Sequence, residues 1–190
     1  MDDILRDVPA GFETARLTIR RPEPGDGAAH NAAVTESLAD LRPWLAWAVA
    51  APTIAESEAT MRRAHASFLE RRDLWFLLFL KGTTVLVGGS GLHNPNWSVP
   101  AFEIGYWVRS CYAGQGYITE AVRGIAGFAR DTLGARRLQI LCSTANLRSA
   151  AVARRAGFAL EGTLRCVARH HLTGELFDEY IFAQVQPEEP

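Results

Sequence analysis

The sequence predicts an α+β fold with one mixed, mostly antiparallel sheet of about seven strands flanked by helices. The predicted elements run in the order strand, two helices, three strands, helix, strand, helix and two strands. Neighbouring strands can pair as antiparallel hairpins, whereas the strand after the long helix needs a βαβ crossover. A chain of 190 residues, 48% of them hydrophobic, can bury one sizeable core. We therefore expect a single domain over residues 1–190, with its core at about 13–185.

The first third of the chain predicts one strand and two helices. Leu17 to Arg20 alternates apolar and polar residues, as a half-buried strand does. Asp26 is placed to cap the first helix, and Thr53 with Glu56 forms a capping box for the second. The predicted bounds are 17–20 for the strand, 27–38 for the first helix, and 53 to 71 or 72 for the second.

A proline-bearing stretch with two tryptophans lies between these helices. Pro43 prevents a regular helix from Leu41 to Ala48. Trp44 and Trp47 either pack on the core or form a wall against an apolar ligand. The sequence leaves both interpretations open.

The middle of the chain predicts three strands and a long helix. The first strand is apolar on both faces and therefore central, and the second returns after the turn at Lys81 to Thr83. Apolar residues at steps of three and four give the helix one buried face, and Gly134 is its C-cap. Gly124 and Gly127 are spaced to allow close packing on one side. The predicted bounds are 73–80, 84–92 and 102–109 for the strands, 93–98 for a loop, and 117–133 for the helix.

The last third predicts a strand, a short helix and a final hairpin. Asn146 is placed to cap the helix, and Gly157 ends it. Thr173 and Gly174 join the last two strands. The predicted bounds are 137–142, 158–167 and 176–185 for the strands. The tail from Gln186 to Pro190 is expected to fray.

A glycine loop, Gly114-Gln115-Gly116, separates the middle strand from the long helix. Glycines let the backbone approach an anion closely, and the first helical turn has free N–H groups, so the loop predicts a pyrophosphate site. A Walker loop would need Gly-Lys followed by Ser or Thr, which does not occur in the sequence. A Rossmann loop would need a third glycine at Thr119 and an acidic residue near Arg136, so that alternative is weak.

A third kind of loop fits better. The stretch from Ala113 to Ile118 resembles the acyl-CoA loop of the GNAT superfamily of N-acyltransferases, although it departs from that motif at both ends. The flanking stretches resemble the ribosomal-protein N-terminal (Rim-type) acetyltransferase branch, and they follow one another in order from about residue 13 to 180. These stretches are 13–17, 41–45, 103–107, 114–121, 146–149, 157–158 and 161–162.

The resemblance implies how acyl-CoA would bind. In that family, strands 4 and 5 splay apart at a bulge, and the pantetheine enters the gap. In this sequence they correspond to the predicted strands 102–109 and 137–142. Mapped onto this sequence, the pantetheine follows Val108 and Ser110 and contacts Asn146, while Arg148 either meets a CoA phosphate or is a solvated arginine. The pyrophosphate would accept hydrogen bonds from the main-chain N–H groups of Gly114, Gln115, Gly116, Tyr117 and Ile118.

The reaction that the resemblance implies is direct attack of an amine on a thioester. Glu103 is the candidate base, since it can order a water that takes the amine proton; the alternative is a solvated strand-end carboxylate. Ser149 stands where the family has the proposed proton donor to the CoA thiolate; the alternative is a first-turn hydroxyl bonded to the backbone. Tyr112 is a weaker candidate for that donor.

The resemblance does not identify the acceptor amine. It implies a protein N-terminus, but small-molecule amines such as polyamines, antibiotics or amino acids, and other donors such as succinyl-CoA, remain alternatives. We expect the acceptor near Trp44, Trp47 and His93, and we expect a homodimer in which a second copy of the chain completes the cleft. Two other functions stay open: a non-catalytic acyl-CoA sensor and a nucleotide-binding oxidoreductase.

Composition narrows the classes of partner, compartment and metal site that remain. The charges of the 20 basic and 21 acidic residues nearly cancel, so the chain has no large net charge that would attract nucleic acid or a membrane surface. The three cysteines lack paired or metal-type spacing, which favours a reducing cytoplasm. His170 and His171 have no third ligand at suitable spacing, so we expect no metal.

Overall fold

The computed structural model describes residues 2–186, within which eight strands form one sheet in the order β1-β2-β3-β4-β5-β6-β8-β7. The strands are β1 (Gly11–Glu13), β2 (Leu17–Arg20), β3 (Leu74–Leu80), β4 (Leu86–Asn96), β5 (Ala101–Val108), β6 (Arg137–Ser143), β7 (Ala159–Arg169) and β8 (Leu176–Val185). The helices are α1 (Gly27–Leu41), α2 (Ile54–Leu69), α3 (Tyr117–Leu133) and α4 (Leu147–Arg155). All of the predicted tail except Gln186 lies outside the described residues.

The mixed sheet of the predicted α+β fold is confirmed. Every neighbouring pair of strands is antiparallel except β5 and β6, which are joined through α3 and run parallel. The eighth strand is the short β1, which pairs with β2 in what the sequence suggested was only a lead-in.

The loop expected over residues 93–98 is wrong in part, because β4 continues to Asn96. Pairing with β5 keeps these residues in the strand, although Asn and Pro locally favour a loop. The pairing is irregular there: its register shifts between His93 and Asn96, and Asn94 takes a positive φ of 50°. The strand therefore holds His93 at a fixed position in the sheet.

The helix caps are as predicted at four of five places. Thr53 and Glu56 form the capping box, Asn146 Oδ1 accepts from the Ser149 N–H, Gly134 ends α3 with a φ of 67°, and Gly157 follows the last turn of α4 with a φ of 90°. Asp26 stands at the N-cap position of α1, but its side chain makes no capping hydrogen bond, contrary to the prediction. Its carboxylate instead accepts two hydrogen bonds from Arg20, each 2.7 Å long.

Helices cover both faces of the sheet. The apolar side of α3 packs on one face together with α4. Residues of α1 and α2, such as Ala33 and Met61, pack on the other face against Leu77 and Trp107. The close approach predicted for the two α3 glycines holds only for Gly124, where an added Cβ would lie 2.8 Å from Thr14 Cγ2.

The gap implied by the family resemblance lies between β5 and β6. Among the described residues, their pairing ends at Glu103 and Gln139, although β5 continues to Val108. The Arg109 N–H donates to Val87 O on β4, and antiparallel main-chain groups alternate in direction, so those of Tyr106 and Val108 point into the gap. No register shift between β4 and β5 accompanies this opening from Glu103 to Val108.

Candidate active site

A cradle of main-chain N–H groups lies where β5 leads into α3. Gly114 and Gly116 have φ angles of 76° and 82°, a left-handed conformation that glycine adopts at little cost. In residues 2–186, none of the N–H groups of residues 114–119 donates to another protein group. The amides predicted to bind a pyrophosphate are therefore available, and they include those of Gln115, Tyr117 and Ile118.

Arg16 supplies a positive charge beside this cradle. Its guanidinium donates to Gln115 O at 3.1 Å and lies 4.3 Å above the centre of the Tyr117 ring. It is also ion-paired with Glu120. The family loop has Arg or Gln where this chain has Ala113, and Arg16 is a cation that contacts this loop through Gln115 O. Sequence reasoning missed this contact, because only the fold brings Arg16 to α3.

The contacts of Ser110 do not support its predicted role in binding pantetheine. Its N–H donates to Ser37 Oγ at 2.9 Å, its hydroxyl donates to Asp40, and its carbonyl accepts from Ala113. These bonds attach the short 3₁₀ helix at Ser110–Tyr112 to α1. Val108, in contrast, is half-buried at the edge of the gap with its main chain turned into it.

Ser149 lies on the opposite wall of the gap, beside an aromatic hydroxyl that the sequence did not indicate. Its Oγ is 2.9 Å from Tyr106 Oη, and the Tyr106 hydroxyl also lies 3.0 Å from the carbonyl of Ser149. Burial raises the pKa of Tyr106 well above its usual value, so the phenol stays protonated. Asn146 holds the start of the same helix, and Arg148 is exposed on it.

Glu103 stands at the mouth of the gap, in the last residue pair between β5 and β6. Its carboxylate accepts from Asn94 Nδ2 at 3.4 Å. Burial, and then the charge of Glu103, raise the pKa of the Glu179 carboxyl on β8. Glu103 is half-buried, so its side chain can meet both solvent and a ligand.

His93 is the neighbour of Glu103 on β4, and Asp73 lies on its other side. His93 and Glu103 are paired residues, and His93 Nδ1 is 2.7 Å from Asp73 Oδ1. The three side chains form a row that begins at Asp73, just before β3, and crosses β4 to β5. The sequence pointed to His93 but gave no sign of Asp73, which lies twenty positions earlier and comes close only through strand pairing.

A cavity of about 390 Å³ opens beside this row, between the sheet and helices α1 and α2. Trp47 lines it and packs on Trp107, with ring centres 6.1 Å apart. Trp44 does not line it and is 44% exposed. Of the two tryptophans predicted to contact the acceptor, only Trp47 is therefore brought to the cavity.

The two adjacent histidines of the last hairpin contact the tryptophan loop. His170 Nε2 lies 2.9 Å from Pro43 O, and His171 Nε2 lies 2.8 Å from Arg42 O. In residues 2–186, no group of three or more His, Cys, Asp or Glu side chains could hold a metal ion. No helix in the same range is long and apolar enough to span a membrane.

Comparisons with known proteins agree with this geometry. Residues 16–159 match the family described as "Acetyltransferase (GNAT) domain". The chain is 30% identical over 151 residues to a putative ribosomal N-acetyltransferase of Bacillus subtilis, YdaF, which covers 78% of this chain and 81% of that protein. It is 28% identical over 147 residues to the ribosomal-protein-serine acetyltransferase of Escherichia coli, covering 76% and 80%.

Solved structures share the fold at lower sequence identity. One is the microcin C7 self-immunity acetyltransferase MccE with acetyl-CoA and AMP, with a TM-score of 0.85 and 22% identity, covering 94% of this chain and 98% of that one. Another is RimL, a ribosomal L7/L12 α-N-protein acetyltransferase, with coenzyme A; its TM-score is 0.83 at 22% identity, covering 93% and 96%.

Proposed function

The chain belongs to the GNAT acetyltransferase family, and from that premise we propose that it acetylates the N-terminal α-amine of a protein. It is an acyl-CoA-dependent N-acyltransferase, and acetyl-CoA is the donor that its family uses. The observation that carries the proposal is the set of free N–H groups at residues 114–119 beside the unpaired edge of β5. Such a cradle suits a diphosphate, and the open strand edge suits an amide-bearing chain such as pantetheine.

The choice of an α-amine is supported by proton chemistry. An α-amine has a pKa of about 7.7–8.0, so on the order of a tenth of it is neutral at pH 7, whereas a lysine amine near 10.4 is almost fully protonated. The acceptor side of the gap offers carboxylates that attract an ammonium group, namely Asp73 and Glu103. The names of the two relatives, which are both ribosomal acetyltransferases, favour a ribosomal protein as the substrate.

Each residue at the gap has a proposed part in the reaction. The Val108 N–H would stabilise the charge that develops on the thioester oxygen. Glu103 would hold the water that takes the amine proton, and Ser149 would protonate the leaving thiolate. Asn146 and Arg148, at the start of α4, would contact the pantetheine and a CoA phosphate.

Three alternatives are kept as outcomes of the test. The acceptor could be a small-molecule amine, the acyl group could be succinyl, or the protein could bind acyl-CoA without transferring it.

We also propose that the protein acts in the cytoplasm, and that two copies form a dimer. Light scattering at micromolar concentration would measure the mass, and a monomer would contradict the dimer.

The test measures the release of free CoA from acetyl-CoA with matched acceptors. The first is a lysine-free peptide with a free N-terminus, the second is the same peptide with a blocked N-terminus and one added lysine, and the third is a polyamine. We expect release with the first peptide only, and less with succinyl-CoA as donor. Release with the polyamine alone would overturn the N-terminal acceptor, and CoA binding without any release would favour the sensor.

A further inference from the structure

We propose that His93, oriented by Asp73, is the group that accepts the proton from the acceptor amine. The inference deepens the function proposed above and depends on it, because it assumes an amine that must lose a proton before it attacks. Asp73 would be a positioning residue, and Glu103 would keep its part in holding the water between the amine and the imidazole.

The hydrogen bond between the two side chains determines which nitrogen is free. His93 Nδ1 lies 2.7 Å from Asp73 Oδ1, so Nδ1 carries the hydrogen when the carboxylate is ionised. Nε2 then presents a lone pair, and the hydrogen bond of the ring in residues 2–186 is the one at Nδ1. A neutral imidazole held in this tautomer can act as a base.

Two glycines hold the ring close to the sheet and direct Nε2 toward β5. A Cβ added at Gly91 would lie 3.0 Å from Nε2, and one added at Gly105 would lie 3.2 Å from it. Any side chain at either position would displace the ring. Because Gly105 is on β5, whose far edge borders the gap, the free nitrogen lies about one strand width from the gap.

The cavity gives an acceptor access to this nitrogen. Asp73, His93 and Gly105 line it, and so does Trp47, which packs on Trp107. The side chains of His93 and Asp73 are 30% and 39% exposed, so neither is sealed in the core. A peptide N-terminus that enters along Trp47 would therefore reach His93 before it reaches the gap.

The charges around the ring favour both the incoming ammonium and the imidazolium that follows. Asp73, just before β3, and Glu103 on β5 flank His93, and Glu179 is on β8, two strands beyond β5 in the sheet. From α1, the titratable group that lines the same cavity is His30, which is neutral because burial lowers its pKa to about 4. No cation among the residues lining the cavity opposes the transfer.

The step balances without any other reactant. The ammonium gives one proton to Nε2 through the water at Glu103, and the neutral amine forms the new C–N bond as the C–S bond breaks. The second amine proton is lost to water, and the thiolate takes a proton from the Ser149–Tyr106 pair, which water replenishes. His93 then releases its proton through the cavity, so the net reaction yields one proton.

The test compares His93→Gln and Asp73→Asn with a matched control, His65→Gln. His65 also lies beside a carboxylate, 3.4 Å from Glu23, but it does not line the cavity. We expect His93→Gln to lower kcat by about 10²–10³-fold with the KM for acetyl-CoA unchanged, and His65→Gln to leave both constants unchanged. In Asp73→Asn, we expect a smaller loss of kcat, and nitrogen-15 spectra should show a lower population of the Nδ1–H tautomer of His93, because a carboxamide does not fix that tautomer as a carboxylate does.

The readouts separate this inference from the proposed function. If the wild type acetylates a polyamine rather than a peptide, the proposal of a protein N-terminus as the acceptor is wrong. The same variants are then measured with the polyamine as the acceptor. A wild-type rate in His93→Gln with any amine that the enzyme acetylates would overturn the role of His93. Nitrogen-15 spectra add a measurement without acceptor: we expect Nδ1–H at His93, and the opposite tautomer would also overturn it.

Discussion

The hydroxyl of Tyr106 on β5 lies 2.9 Å from the hydroxyl of Ser149 on α4, so one contact joins the two walls of the gap. Tyr106 is largely buried and its pKa is raised, chiefly by burial, so both hydroxyls carry protons at neutral pH. Since the Tyr106 hydroxyl also lies 3.0 Å from the Ser149 carbonyl, it can donate there while the serine hydroxyl is free to turn. We therefore propose that this pair supplies a proton to the thiolate that leaves in the gap.

The first prediction concerns that proton. Ser149→Ala should lower kcat by about 10²-fold at saturating acetyl-CoA, because the group nearest the thiolate loses its hydrogen. The fold should be little affected, since the cap uses the main-chain N–H of Ser149, which the substitution keeps. Tyr106→Phe should cause a smaller loss. Steady-state kinetics measure both, and an unchanged kcat in the two variants would exclude the pair as the proton source.

The second prediction concerns the amide cradle. Gly116→Ala places a Cβ on a residue with a φ of 82°, which costs about 1–2 kcal/mol and disturbs the N–H groups around it. We expect weaker binding of CoA by calorimetry. Gly127→Ala is the control, because its Cβ would meet only Asp131 at 4.0 Å, and it should stabilise α3 by about 0.5–1 kcal/mol. Equal CoA affinity in both variants would show that the cradle does not bind the diphosphate.

Much of the fold follows from local signals in the sequence. The capping box at Thr53, the glycine loop at 114–116 and the apolar face of α3 each arise from residues near one another, and each was predicted. The end of β4 was not, because its pairing with β5 prevails over Asn94 and Pro95. Asp26 failed as a cap because Arg20, on the preceding strand, binds its carboxylate.

The site was predictable only where one stretch of chain builds it. Glu103 and Ser149 were located by motif, and the structure puts them at the mouth and on the wall of the gap. Asp73, Arg16 and Tyr106 were missed, since each acts through a partner far away in sequence. Contacts of that kind depend on strand register and helix placement, which no local pattern reports.

The third prediction concerns the acceptor wall. Trp47→Ala removes a ring that lines the cavity, so we expect a KM for the acceptor raised about tenfold, roughly the loss of 1.4 kcal/mol, with the KM for acetyl-CoA unchanged. Trp44→Ala is the matched control from the same loop, and its effect should be small. Equal effects of the two substitutions on the acceptor KM would mean that the loop acts as a whole and that Trp47 makes no direct contact.

The fourth prediction concerns pH and stability at His30, whose side chain is buried against Trp75 and Trp107. Both ring nitrogens lack partners in the described residues, and burial lowers the pKa from 6.5 to about 4. The unfolded chain therefore takes up a proton at a higher pH than the folded chain. The contribution of the neutral His30 to stability should be fully present above about pH 6.5. The free energy of unfolding should fall by about 3 kcal/mol as pH drops toward 4.

His30→Phe removes both the proton uptake and the two unpaired nitrogens. We expect the variant to be more stable than the wild type at every pH, with the difference growing as pH falls from about 6.5 to 4. Urea denaturation at half-unit steps of pH measures it. Carboxylates that lose their charge in the same range affect both proteins alike, so the difference isolates His30. A constant difference across the range would mean that the folded protein protonates His30 as readily as the unfolded chain does.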